Sequence, residues 1–69
     1  MKGMLEDAYM TSQKAIELNP SNPRGYTNLG LIYYQRGDKG RAKSLWQKAL
    51  ALDPDFPDAQ RALRLLDRS

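Results

Sequence analysis

Carboxylates are the side chains best suited to acid–base or metal chemistry in this chain, because it contains no histidine and no cysteine. They form two groups: Glu6, Asp7 and Glu17 on the flank of a predicted helix, and Asp53, Asp55 and Asp58 at a predicted turn. Acidic residues are ordinary caps at such a turn. The second group also lacks the glycine and terminal glutamate of a calcium loop, and no glycine-rich phosphate loop occurs. The sequence therefore predicts no catalysis, no metal and no cofactor.

Basic residues could bind nucleic acid, and the net charge of +3 is unevenly distributed. The positive charge is concentrated in residues 36–48, which contain Arg36, Lys39, Arg41, Lys43 and Lys48. No aromatic residues suited to base stacking alternate with these positions. A solvated helix face is therefore the favoured interpretation, and nucleic-acid binding is the weaker alternative.

The sequence predicts a soluble, cytoplasmic protein that does not associate with a membrane. No apolar run approaches the roughly 18 residues that a membrane-spanning helix needs. The N-terminal residues include Glu6 and Asp7 where a signal peptide would have its apolar core.

An internal repeat organises the sequence. When the chain is offset by 34 residues, residues 13–20 (QKAIELNP) align with residues 47–54 (QKALALDP). The agreement extends to both sides of this block, in the pairs Ala8 and Ala42, Pro23 and Pro57, Leu29 and Leu63, and Leu31 and Leu65. A period of this length indicates a duplicated helical unit.

The helices follow from turn signals and from helical spacing of apolar residues. Asn22 is a favourable N-cap, and Pro23 suits the first helical position. Gly37-Asp38 and Asp53-Pro54 are stop signals. The prediction is an all-α single domain, residues 1–69, of four antiparallel helices over about 4–18, 23–36, 40–52 and 57–67.

Eight positions then resemble a known family signature: Tyr26, Leu29, Gly30, Tyr33, Ala42, Trp46, Ala49 and Pro54. This spacing resembles the tetratricopeptide repeat, a 34-residue helix–turn–helix unit whose copies stack into a right-handed α-α superhelix. The resemblance implies one full repeat, 23–56, flanked by a half-repeat on each side. We call the first helix of each unit A-type and the second B-type.

The sequence also departs from the family pattern. Lys39 replaces a preferred aromatic and Gly40 is a poor helix starter, so a loose turn is expected there. In the last helix Gln60, Arg64 and Asp67 replace the aromatic, the glycine and the tyrosine.

Gly30 has a physical explanation that does not depend on the family. Glycine inside a helix costs about 1 kcal/mol relative to alanine. The cost is justified if the next helix crosses Gly30 too closely for a side chain. We expect Ala42 and Ala49 to face it, with Trp46 and Tyr26 filling the space between.

The resemblance implies a protein-interaction scaffold that binds a peptide or a partner protein in a concave groove lined by A-type helices. The candidate groove residues are Arg24, Thr27, Asn28, Leu31, Tyr34 and Gln35, with Arg61 and Leu65 from the next A-type helix.

Other interpretations compete at several of these positions. Leu31 is predicted to be core rather than groove, Tyr34 could be either, and Arg24, Thr27 and Gln35 could form a solvated face. Asn28 matches an asparagine with which chaperone-binding members grip a carboxylate. The basic partners that this clamp requires are replaced here by Asp58 and Ala62, so recognition of an acidic chaperone tail is not supported.

The first helix is B-type and lacks its A-type partner. Its apolar residues Met4, Leu5, Ala8 and Tyr9 are candidates for self-association, because exposed apolar side chains are costly. Either the chain is a piece of a longer array, or a second copy covers this face in a homodimer, which could form by exchange of the first helix. The arginines of the last helix resemble a polar capping helix, which would end the array.

Overall fold

The computed structural model describes the backbone of residues 2–68 and the side chains of residues 6–67. The described chain forms α1 (Lys2–Leu18), α2 (Pro23–Gln35), α3 (Lys39–Leu52) and α4 (Pro57–Arg68). The all-α helical-repeat prediction is confirmed, and the observed bounds lie within two residues of the predicted ones. None of the helices described here has the length and apolar character needed to cross a bilayer.

Local capping interactions fix the start of α2. The side-chain oxygen of Asn22 accepts a hydrogen bond from the backbone N–H of Arg24 at 3.0 Å, and Pro23 is the first helical residue. Both features agree with the prediction. The Asn22 side chain satisfies one of the free N–H groups of the first turn, which is the role of an N-cap.

The turn between α2 and α3 is tightly closed, and the expectation of a loose turn at Lys39-Gly40 is wrong. Gly37 has φ of 89°, and its N–H donates to Tyr34 O at 3.0 Å. The N–H of Asp38 donates to Tyr33 O at 2.9 Å, which completes a Schellman motif. The Asp38 side chain then caps α3, so Gly40 lies inside an already capped first turn.

The helices pack in chain order. The contact between α2 and α3 is the most extensive; α1 packs on α2, α4 packs on α3, and α2 also touches α4. Over the described residues, no Cα atom of α1 comes within 8 Å of one in α3 or α4, although the side chain of Ile16 packs against the cluster that contains Ala49. The A-type helices α2 and α4 are therefore direct neighbours, whereas the B-type helices α1 and α3 are separated.

Two small clusters form the core between these helices. Tyr26 packs with Ala49 and Ala59, and Trp46 packs with Ala42 and Ala62. Each cluster thus joins α3 to α4, and partly buried residues of the neighbouring helices pack around it.

Gly30 lies at the predicted close crossing of α2 and α3. A Cβ atom at this position would lie 2.5 Å from Trp46 Nε1 and 2.8 Å from Trp46 Cδ1. The close approach is confirmed, and Trp46 fills the space beside Gly30 as expected. The indole of Trp46 itself covers Gly30, while Ala42 and Ala49 pack in the two core clusters.

Candidate partner-binding site

A cleft of about 220 Å³ opens between the A-type helices α2 and α4. The helix-to-helix contact of α2 and α4 positions both walls, and α3 closes the cleft from below. Its lining residues are Thr27, Asn28, Leu31, Trp46, Asp58, Arg61, Ala62 and Leu65. We refer to this space as the α2–α4 cleft.

Trp46 forms the floor of the α2–α4 cleft. Trp46 is fully buried, and its Nε1 donates a hydrogen bond to the backbone oxygen of Thr27 at 3.0 Å. This bond ties α3 to α2, and Gly30 provides the space for the indole. The spacing of Trp46 in the repeat predicts a core residue, but its second role as cleft floor depends on the open edge between α2 and α4, which spacing does not reveal.

Two leucines on opposite walls of the cleft are exposed to solvent. Leu31 on α2 is 43% exposed and Leu65 on α4 is 46% exposed. The prediction that Leu31 belongs to the core was wrong, because its helix face points to the gap beside α4 rather than to α3. The repeat pairs the two residues, since Leu31 and Leu65 are 34 positions apart.

Polar side chains surround the exposed leucines. Asn28, Asp58 and Arg61 are exposed, and all three line the cleft. Within the described part of the chain, neither Asp58 nor Arg61 forms an ion pair. An amide, a carboxylate and a guanidinium are thus free to bind a ligand beside an apolar surface.

Some of the predicted groove residues have other roles. Thr27 lines the cleft but is buried, and its hydroxyl donates to Pro23 O at 2.9 Å within α2. Tyr34 is half-buried, with its ring centroid 5.8 Å from that of Trp46, and does not line the cleft. Arg24 and Gln35 are exposed and also lie outside the lining, which agrees with the solvated-face interpretation.

The residues proposed for self-association divide into three cases. The side chains of Met4 and Leu5 lie outside the described residues. Ala8 is exposed. Tyr9 is half-buried, and its ring packs edge-on against Tyr33 of α2 with centroids 5.9 Å apart. This contact stabilises the packing of α1 on α2 within one chain.

The hydroxyls of Tyr9 and Tyr33 share a hydrogen bond at 3.5 Å, and the Tyr9 oxygen also accepts from Gln13 Nε2 at 2.8 Å. The bond with Tyr33, partial burial and the charge that Tyr33 could carry raise the pKa of Tyr9 above its ordinary 10.0. The nearby Arg36 and Arg41 act in the opposite direction.

Several of the basic residues fold back onto tyrosine rings. Arg36 lies 5.3 Å from the Tyr9 ring centroid, Arg41 5.6 Å from that of Tyr33, and Lys48 5.3 Å from that of Tyr26. Arg41 also pairs with Asp38 at 3.4 Å. These cation–π contacts give the basic residues a structural role, which weakens the nucleic-acid alternative.

Two of the carboxylates make capping or turn hydrogen bonds. Asp38 caps α3, and the Asp53 carboxylate accepts from the N–H of Asp55 at 3.2 Å in the turn before α4. No three carboxylates among the described residues come close enough together to hold a metal ion.

Comparison with known families identifies the architecture. A profile described as tetratricopeptide repeat matches residues 23–56, and a profile described as TPR repeat matches residues 2–37. The second match spans α1 and α2, so the two together cover most of the chain. The chain belongs to the tetratricopeptide repeat family.

Individual relatives come from different kingdoms. The chain is 40% identical over 48 residues to the Hsp70-Hsp90 organizing protein of Triticum aestivum, an alignment that covers 70% of the chain and 8% of that protein. It is 33% identical over 63 residues to Heat shock protein STI1 of Saccharomyces cerevisiae, covering 91% and 11%. It is 34% identical over 82 aligned positions to Photosystem I assembly protein Ycf3 of a Synechococcus species, covering 97% and 47%. The chain thus spans less than half the length of each of these relatives.

Proposed function

We propose that this chain is a protein-interaction module that holds a peptide segment or partner helix in the α2–α4 cleft. Membership of the tetratricopeptide repeat family supports the general role. Two relatives, the Hsp70-Hsp90 organizing protein and Photosystem I assembly protein Ycf3, have names that describe organising or assembling other proteins.

One observation carries the proposal: two leucines, each more than 40% exposed, face one cleft whose floor is a fully buried tryptophan. An apolar side chain of a ligand would bury its own surface against Leu31 and Leu65, which the hydrophobic effect favours. Asn28 would donate to and accept from the ligand backbone, while Asp58 and Arg61 would select the charges that flank the apolar side chain. A cleft of this size gives weak binding, because it buries much less than a standard protein interface.

The test begins with a displayed library of random peptides, from which a ligand is selected on the wild-type chain. Its affinity is then measured for Leu31→Asp, Leu65→Asp and Asn28→Ala. If each leucine contributes about 1.4 kcal/mol to the binding free energy, its replacement by aspartate should weaken the affinity about tenfold. Losing the Asn28 hydrogen bonds would weaken it about fivefold.

Leu52→Asp is the matched control, because Leu52 is 41% exposed but lies on α3, outside the α2–α4 cleft. The control variant should bind as wild type. The proposal is wrong if Leu52→Asp weakens binding as much as Leu31→Asp, or if neither leucine of the cleft matters.

A further inference from the structure

Two opposite charges line the α2–α4 cleft one helical turn apart and do not neutralise each other. Asp58 and Arg61 are both exposed, and no ion pair joins them within the described part of the chain. At the start of α3 the same spacing does give an ion pair, between Asp38 and Arg41 at 3.4 Å. The cleft therefore keeps one carboxylate and one guanidinium available for a ligand.

No other charged side chain among residues 6–67 lines this cleft. Arg24 of α2 is exposed but lies outside the lining, and so do Arg64 and Asp67 of α4. The only lining residue from α3 is Trp46. The charges that line the cleft therefore sum to zero, and discrimination between ligands depends on the order of their charges rather than on their net charge.

The lining residues of α4 follow one another in a fixed order along the cleft. An α-helix rises 1.5 Å per residue, so Arg61 lies about 6 Å along the helix axis from Leu65, and Asp58 lies about 4.5 Å further on. Leu31 lines the opposite wall and is the repeat equivalent of Leu65. From the leucines onward, the cleft thus presents an apolar surface, then a positive charge, then a negative charge.

The dimensions of the cleft favour an extended peptide over a partner helix. Cα atoms of α2 and α4 come within 8 Å of each other, and the axes of packed helices lie only 8–10 Å apart, so a third helix does not fit between the two walls. The volume of about 220 Å³ suits a single large side chain that enters from a backbone lying along the rim.

We propose that the ligand is an extended peptide with a large apolar residue, an acidic residue two positions from it and a basic residue three positions from it. The apolar side chain lies between Leu31 and Leu65, the acidic one pairs with Arg61, and the basic one pairs with Asp58. This inference rests on the proposed function and adds the sequence pattern that the cleft selects.

The spacing of this pattern comes from the length of an extended chain. Such a chain advances about 3.3–3.6 Å per residue, so two positions span the roughly 6 Å between Leu65 and Arg61. Three positions span the roughly 10 Å between Leu65 and Asp58. The distances are the same for both directions of the peptide chain, so both directions enter the test.

Short synthetic peptides with a fixed leucine test the pattern. The matching peptides contain Leu-Ser-Glu-Lys or its reverse, and the exchanged peptides contain Leu-Ser-Lys-Glu or its reverse. All are acetylated and amidated, which removes the terminal charges. In each direction the two peptides have the same composition and differ only in the order of the charges.

Binding is measured by NMR titration up to about 10 mM peptide, a range in which weak affinities are visible. The reporter is the indole N–H of Trp46, the single tryptophan, which donates to Thr27 O at the floor of the cleft. In at least one direction, the matching peptide should bind about three- to tenfold more tightly than its exchanged counterpart at low salt. The preference should shrink at about 0.5 M salt, because salt screens exposed charges.

Exchanging the two charges of the cleft should reverse the preference. The double variant Asp58→Arg with Arg61→Asp keeps the net charge and should bind the exchanged peptide more tightly. The matched control is Arg64→Asp with Asp67→Arg, the same kind of exchange on the same helix but outside the lining. This control should keep the preference of wild type.

A single variant tests the pattern without altering the first turn of α4, where the acidic Asp58 favours the helix. Arg61→Gln should weaken binding of the matching peptide about two- to fivefold, since it removes one ion pair with the ligand. Circular dichroism checks that each variant is folded.

The outcomes separate this proposal from the proposed function. If matching and exchanged peptides bind equally while Leu31→Asp weakens both, the charge pattern is wrong and the cleft remains a binding site. A preference that the Asp58 and Arg61 exchange leaves unchanged also overturns the pattern. If no peptide of the set binds, the pattern is wrong, and the selection of random peptides judges the proposed function by itself.

Discussion

Replacing Gly30 with alanine tests the close crossing of α2 and α3. The new Cβ would lie 2.5 Å from Trp46 Nε1, a separation that real Cβ atoms do not adopt. The indole cannot move away freely, because Trp46 is fully buried and its Nε1 is hydrogen-bonded to Thr27 O at 3.0 Å. Either the two helices separate or the indole shifts and weakens that bond.

The magnitude follows from three opposing effects. Alanine is a better helix former than glycine by about 1 kcal/mol. Inserting a methyl group into a packed core costs about 1–3 kcal/mol, and loss of the Trp46–Thr27 hydrogen bond costs about 1 kcal/mol more. The Gly30→Ala variant should therefore lose about 1–3 kcal/mol of unfolding free energy, since overpacking outweighs helix propensity. For a chain of this size, each kcal/mol lowers Tm by roughly 4–8 °C.

Urea unfolding followed by circular dichroism and by fluorescence of the single tryptophan measures this change. Gly40→Ala is the matched control, because its Cβ would find only Asp38 Oδ1, at 3.9 Å. The control should be as stable as wild type or up to about 1 kcal/mol more stable. If Gly30→Ala matches Gly40→Ala in stability, the reasoning is refuted. The Trp46→Phe substitution should also cost less in the Gly30→Ala background than in wild type, by an interaction energy of about 0.5 kcal/mol or more.

Further predictions concern the turns and the α1–α2 contact. Gly37→Ala should lower the unfolding free energy by about 1–2 kcal/mol through backbone conformation alone, because φ is 89° and no atom lies within 4 Å of the new Cβ. Gly37→Asn should lower the unfolding free energy by less in the same urea experiment. Asp38→Ala should cost about 0.5–2 kcal/mol, since it removes the α3 cap and the ion pair with Arg41, and a midpoint equal to that of wild type would contradict this. The raised pKa of Tyr9 implies stability that is complete below pH 10.0 and is lost as pH rises through the folded-state pKa. Tyr9→Phe should remove that part of the alkaline loss of stability, and an unchanged pH profile would argue against the hydrogen bond with Tyr33.

Local sequence determined the helices and the turns. Asn22 and Pro23 specify the start of α2 through interactions within two residues of each other, and such interactions can be read from spacing alone. The 34-residue offset also predicted which helices are equivalent, and glycine inside a helix correctly indicated a close crossing. The exception was Gly40, whose helix-breaking character is overridden because the Asp38 cap and the Schellman motif at Gly37 already fix the turn.

Tertiary structure decided which apolar faces are covered. Periodicity places Leu31 and Tyr9 on apolar faces but does not say which neighbouring helix, if any, lies opposite. Leu31 was expected in the core and is exposed because α4 approaches α2 only across a cleft, whereas Tyr9 was a candidate for self-association and is packed against Tyr33. Burial depends on distances between helices that are remote in sequence, and those distances are fixed by Trp46 and Gly30 at the α2–α3 crossing. The sequence therefore determined the units and their order, and only the packed structure determined the surface that they leave open.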